Sequence, residues 1–155
     1  MTLAGSADGP LELAFTLATE AEAPAEITAE CVEALSLRVL SAEGAAGCWE
    51  VAAALVSDDR LQALHRDFMG IDTPTDIMTF PTDADDGCRG GDLVISVDHA
   101  RTQAAAWGLS PADEIHFLVI HGLLHLLGWR DDSEEERERM LARQQMLFDS
   151  WRVGD

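Results

Sequence analysis

Two histidines, His121 and His125, stand four residues apart in the stretch His-Gly-Leu-Leu-His-Leu-Leu-Gly-Trp-Arg-Asp-Asp, residues 121–132, among apolar neighbours. On a helix, side chains at i and i+4 lie one above the other on one face. Two imidazoles placed that way can grip one metal ion. Gly128 follows the second histidine by three residues, where a helix can stop at positive φ. The chain can then turn back so that Asp131 or Asp132 supplies a third ligand. Three protein ligands leave a coordination position open, the mark of a catalytic rather than a structural zinc. Two imidazoles and a carboxylate suit a single Zn2+. The same residues would also fit a plainer role as core histidines with satisfied ring nitrogens. The glycine stop and the carboxylates beyond it favour the metal.

The residue after the first histidine narrows the chemistry. In the zinc-protease signature His-Glu-x-x-His, a glutamate there is the general base. Here the position is Gly122, so that peptidase mechanism is excluded. A zinc ion can still lower the pKa of its water to about 7. His121 and His125 are therefore the expected catalytic residues, acting through metal-bound water. His116, five residues before His121, falls on another helix face. His65 and His99 are expected at the surface and beside a helix cap. Thr75 and Asp76 are candidates to orient groups around the metal, although both also favour turns.

The elements that must position these residues follow from periodicity. Leu11 to Thr16 alternates as a strand. Ile27, Cys31, Val32, Leu35 and Val39 recur at helical spacing between residues 25 and 40. Trp49 to Val56 reads as a strand. Ser57 or Asp58 caps a helix carrying Leu61, Leu64, His65 and Phe68, which Gly70 ends. A turn at 72–76 leads to a short strand, Ile77 to Pro81, stopped by proline. Residues 82–91 form an acidic, glycine-rich mobile loop. Asp92 to Val97 is the strongest strand signal and is expected to pair antiparallel with 77–81. Asp98 caps a helix reaching Trp107. Ser110-Pro111 opens the next helix, apolar nearly all round and so the buried one. Ser133-x-x-Glu136 is a capping box for a last helix with Met140, Leu141, Leu147 and Trp151 facing inward. Glu134 to Arg143 otherwise reads as a solvated face, with Glu135 and Arg139 paired at i, i+4. The order is βαβαββ followed by three helices. It predicts an α+β fold, a small mixed four-stranded sheet packed with helices, with the metal-binding histidines on a buried central helix.

The chain has 155 residues and is 47% apolar, enough for one domain spanning 1–155 with a real core; residues 1–10 are expected to be disordered. No apolar run is long enough to span a bilayer, and no targeting segment is indicated. Cys31, Cys48 and Cys88 are odd in number and widely spaced, with no Cys-x-x-Cys, which argues against a disulfide framework and for a reducing, cytoplasmic setting. Net charge is −19, from 29 acidic residues against 10 basic ones, all arginine. Such a field opposes non-specific adhesion to nucleic acid or anionic membrane.

Four blocks of the sequence together resemble one family. His-Gly-Leu-Leu-His-Leu-Leu-Gly-Trp (121–129) is similar to the His-Gly-x-Leu-His-Leu-x-Gly-Tyr core of the YbeY-type rRNA maturation endoribonucleases. Pro74-Thr75-Asp76-Ile77-Met78-Thr79-Phe80-Pro81 resembles that family's Pro-Thr-Asp-Val-Leu-Ser-Phe-Pro. Gly91-Asp92-Leu93-Val94-Ile95-Ser96 resembles its Gly-Asp-Ile-Val-Ile-Ser strand. The acidic stretch leading into a methionine-containing helix is the fourth. The blocks keep the family's order and cover about residues 11–150. The resemblance implies a metal-dependent, single-strand-specific endoribonuclease with a buried metal helix. It further implies a role in 16S rRNA 3′-end maturation and ribosome quality control in the bacterial cytoplasm. The expected partners are RNA and the small ribosomal subunit, with neither membrane nor DNA.

Two departures from the family pattern bear on the site. The family motif ends in a third histidine where this chain has Asp131, preceded by Arg130 in place of aspartate. A carboxylate is an acceptable zinc ligand, although acidic residues also suit a helix N-terminus. The family also places an RNA-serving arginine after the aromatic residue of the second helix. Here Phe68 is followed by Met69, which is expected to pack. Arg66, Arg89 and Arg101 are the substitute candidates for phosphate contact. The alternatives are a non-catalytic ribosome assembly factor with a structural metal, and a metal-dependent hydrolase of another substrate.

Overall fold

The computed structural model describes residues 9–82 and 87–154. Strand β1 (Glu12–Thr19) leads to helix α1 (Ala29–Ala42), then β2 (Cys48–Val56) and α2 (Asp58–Met69). Strands β3 (Ile77–Pro81) and β4 (Arg89–Ser96) follow, then α3 (Val97–Trp107), α4 (Pro111–Leu126) and α5 (Glu134–Gly154). The four strands form one mixed sheet in the order β1-β2-β4-β3. β2 runs parallel to both β1 and β4, while β3 closes antiparallel on β4 with Ile77 opposite Ile95 and Pro81 opposite Gly91. The expected α+β architecture and the β3–β4 pairing are both present.

Strand alternation sends side chains to opposite faces of the sheet. Val51, Ala53, Leu55, Leu93 and Ile95 enter the main core with α1 and α4. Val56, Ala54 and Val94 face a smaller cluster with Leu61 and Met78, beneath α2. Helix α4 touches α1, α3, α5, β3 and β4, which explains a sequence apolar on almost every face. It can lie close on the sheet because of Gly122. A Cβ there would come within 2.6 Å of Leu93 Cδ2 and 3.0 Å of Ile77 Cδ1. The position that a zinc protease fills with glutamate is thus pressed against the sheet.

Several expectations are corrected. Ser96, not Asp98, caps α3: its Oγ accepts from His99 N at 3.1 Å. Asp98 instead accepts from Asp58 N at 2.8 Å, tying α3 to α2. Helix α1 starts at Ala29, capped by Thr28, rather than at residue 25. Residues 89–91, expected in a mobile loop, are strand, paired with Trp49, Glu50 and Val51; residues 83–86 of that loop lie outside the described residues. The expected disorder of residues 1–10 falls mostly on residues 1–8, also outside them, while Gly9 O accepts from Gly47 N at 2.8 Å. Cys48 and Cys88 form a disulfide and Cys31 is free, a bond that the wide cysteine spacing argued against. Met69 does not pack, being 60% exposed, and Leu141 faces outward at 55%. No described helix is long and apolar enough to cross a membrane.

Candidate metal centre

Helix α4 starts as its sequence dictates, with Ser110 Oγ accepting from Asp113 N at 3.1 Å and proline in the first turn. At its far end Gly128 takes φ +103°, and the chain turns back. The capping box then fixes the return: Ser133 Oγ accepts from Glu136 N, and Glu136 Oε1 accepts from the backbone N–H of both Ser133 and Asp132. Between these two fixed points lies Asp131. Its Oδ2 is 3.3 Å from His125 Nε2, which is itself 3.1 Å from His121 Nε2. Asp132 is turned instead toward Arg130.

Hydrogen bonds at the far ring nitrogens decide the tautomers. Gln144 on α5 donates its Nε2 to Phe117 O at 3.0 Å, so its Oε1 faces His121 Nδ1 at 3.2 Å. His121 Nδ1 must therefore carry the hydrogen. His125 Nδ1 faces Trp129 O at 3.1 Å and must also donate. Both Nε2 atoms are then bare acceptors, and they point at each other beside a carboxylate. A proton can satisfy one pair of these three atoms; a cation satisfies all three. Ligand atoms about 2.0–2.1 Å from a tetrahedral zinc lie roughly 3.3 Å apart, close to the spacings found. His121, His125 and Asp131 offer atoms all within 4.8 Å of one another and could hold an ion. Burial is the main cause of the lowered His121 pKa, helped by His125 and opposed by the Gln144 hydrogen bond. Its lone pair is thereby kept available near neutral pH.

His121 and Asp131 lie on the wall of a cleft of about 870 Å³ between α3, α4 and α5, which Asp76 also lines. Neither Arg66 nor Arg89 is on that wall. Arg66, in the last turn of α2, pairs with Asp67. Arg89 lies over the Trp49 ring, 4.8 Å from its centroid. Arg101 donates to Glu22 O. Arg137, whose sequence pattern reads as part of a solvated helix face, lines the cleft and donates to Asp131 O at 3.4 Å. Gln144 is not legible as a site residue in sequence either, since only the packing of α5 brings it to His121. The other histidines stand apart. His116 is buried against Trp151 and Cys31, His65 Nδ1 is 2.9 Å from Thr73 O, and His99 is 3.5 Å from Asp58. Trp129 packs on the core at the end of α4, and its Nε1 donates to Glu43.

The profile of the family described as Endoribonuclease YbeY matches residues 16–152. The chain belongs to the YbeY family. An Endoribonuclease YbeY from Chloroflexus aurantiacus is 35% identical over 147 residues, covering 86% of this chain and 94% of that one. Another YbeY, from Geobacillus kaustophilus, is 37% identical over 137 residues, covering 79% and 88%. A solution structure from Thermotoga maritima superposes with a TM-score of 0.55 at 26% identity, covering 88% of this chain and 91% of that one. The YbeY kinship and the fold agree with what the four sequence blocks implied.

Proposed function

We propose that this chain is a zinc-dependent endoribonuclease that cuts single-stranded RNA, with one ion held by His121, His125 and Asp131. The observation that carries this reading is the convergence of three acceptor atoms, two of them on residues of a cleft wall, in a chain whose relatives are named endoribonucleases. A zinc ion bound there would polarise a phosphoryl oxygen and supply a nucleophile at neutral pH. The chain's own residues do the rest. Gln144 and the Trp129 carbonyl fix the imidazole tautomers, and such outer partners raise ligand basicity. The capping box holds the turn that presents Asp131. Arg137 is the cation positioned to meet a substrate phosphate at the cleft, with Arg66 and Arg89 as more distant contacts along the strand.

By the same kinship, the substrate is 16S rRNA at its 3′ end within the small ribosomal subunit, and the work serves maturation and quality control in the cytoplasm. The chain acts as one domain. Cytoplasmic thiols are kept reduced as a rule, so the Cys48–Cys88 bond is the feature that runs against this setting. The test is cleavage of a labelled single-stranded RNA by zinc-loaded protein. Wild type is expected to cut, and His121→Ala to lose the activity. Equal residual activity in both would sink the enzyme reading and leave a non-catalytic assembly factor.

A further inference from the structure

Beyond the three metal-site residues the cleft reaches a buried acid that they do not use. Glu114 stands seven residues before His121 on α4, on the same helix face and roughly 10 Å along the axis. It is 3% exposed and lines the cleft. Among the described residues its carboxyl has no hydrogen-bond or ion-pair partner. Trp49 Nε1 is the one sealed side-chain atom without a partner among the described residues, so the Glu114 oxygens are not shut in but open on the cleft. Burial, and then the charge of Asp76, pushes its pKa up to about 7.

The cleft that Glu114 lines has walls that suit a flat heterocycle. Phe117, Trp107 and Leu141 contribute apolar surface, and Trp107 is 75% exposed at the cleft. Gln103 donates to Asp76 Oδ2 at 3.4 Å, while Glu114 is the buried carboxyl of the cleft with neither oxygen hydrogen-bonded. One part of the cleft therefore carries His121 and Asp131, and another, roughly 10 Å along α4, carries the Glu114 carboxyl.

We infer that this part of the cleft is a base-binding subsite for guanine, with Glu114 accepting from the N1–H and N2–H groups on the base's edge. The inference rests on the RNA reading above. Single-stranded RNA is recognised through splayed bases that stack on aromatic side chains and are read along their Watson–Crick edges. On that edge guanine alone among the four bases presents two adjacent N–H donors, which match the two oxygens of a carboxylate. Adenine and cytosine set a ring-nitrogen acceptor beside the amino group, and uracil sets its single N–H between two carbonyls. In each case a carboxylate oxygen would meet an acceptor.

The test separates binding from cleavage. The 5′-monophosphates of guanosine, adenosine, cytidine and uridine are titrated calorimetrically into the full-length protein at pH 8, where the Glu114 carboxyl is ionised, so that the phosphate is common and only the base varies. Wild type is expected to bind the guanosine nucleotide at least about tenfold more tightly than the other three, since a good bidentate base contact is worth roughly that much or more. Glu114→Gln, which is near-isosteric, and Glu114→Leu should both erase the preference while still melting cooperatively. No guanine preference in wild type, or a preference that survives both substitutions, overturns the inference. Selective guanosine binding without any RNA cleavage would retain the subsite and overturn the endoribonuclease reading. Cleavage without selective binding would do the reverse.

Discussion

At the scale of single residues, the metal centre depends on which ring nitrogens carry hydrogens. Gln144 is oriented by Phe117 O and so dictates the state of His121. Loss of such an outer partner typically weakens metal binding 10- to 100-fold. Gln144→Ala should weaken zinc affinity within about that range in a competition titration, with secondary structure unchanged by circular dichroism. Asp131→Ala should weaken it further, and Asp131→His should restore it, because imidazole is an equivalent zinc donor. Glu114 makes a different prediction. Its carboxyl ordinarily titrates near 4.5 and is pushed up to about 7 in the fold. Below pH 4.5 it is protonated in both states. Between 4.5 and about 7 the folded chain keeps a proton that the unfolded chain releases, so stability falls as pH rises and levels off above that range. Chemical denaturation should find Glu114→Gln more stable than wild type at pH 8, by on the order of 3 kcal/mol. The gap should shrink to about 1 kcal/mol or less at pH 5.

At the scale of elements, α4 is where sequence and structure agree best, and the reason is physical. A helix touching the sheet and three other helices must be apolar nearly all round, and that pattern shows in one dimension. The cap residues Ser110 and Ser133 and the stop at Gly128 were legible because each acts on atoms within a few residues. Contacts between distant elements were not. Asp98 looks like a cap in sequence, yet it bonds Asp58 N across forty positions. Gln144 and Arg137 become site residues only through the rotation and docking of α5. Glu114 gives no signal in sequence, because its burial depends on α4 packing. Gly122 tests the docking of α4. Alanine there gains about 1 kcal/mol in helix propensity, but its Cβ meets Leu93 and Ile77, and overpacking costs about 1–3 kcal/mol. Gly122→Ala should therefore lower stability by about 1 kcal/mol in urea denaturation.

At the scale of the whole molecule, the −19 charge means that RNA must be held locally, through metal and a few arginines, against the surrounding field. Arg137→Gln should lower the salt dependence of single-stranded RNA binding by a slope of about 0.7, the loss of one phosphate contact. The disulfide is a second global feature that spacing concealed. Cys48 and Cys88 are 40 residues apart. They meet because β2 and β4 pair in parallel with Trp49 opposite Arg89. Closing such a loop is worth up to about 4 kcal/mol in the chain-entropy view, so reduction should destabilise the fold by about 2–4 kcal/mol in denaturation with and without dithiothreitol. The central claim remains the metal centre, and its most direct measurement is anomalous scattering at the zinc edge from crystals of the zinc-loaded protein. A single peak is expected within bonding distance, about 2.0–2.2 Å, of His121 Nε2, His125 Nε2 and an Asp131 oxygen. A peak elsewhere, or none between the two imidazoles at saturating zinc, would contradict that claim.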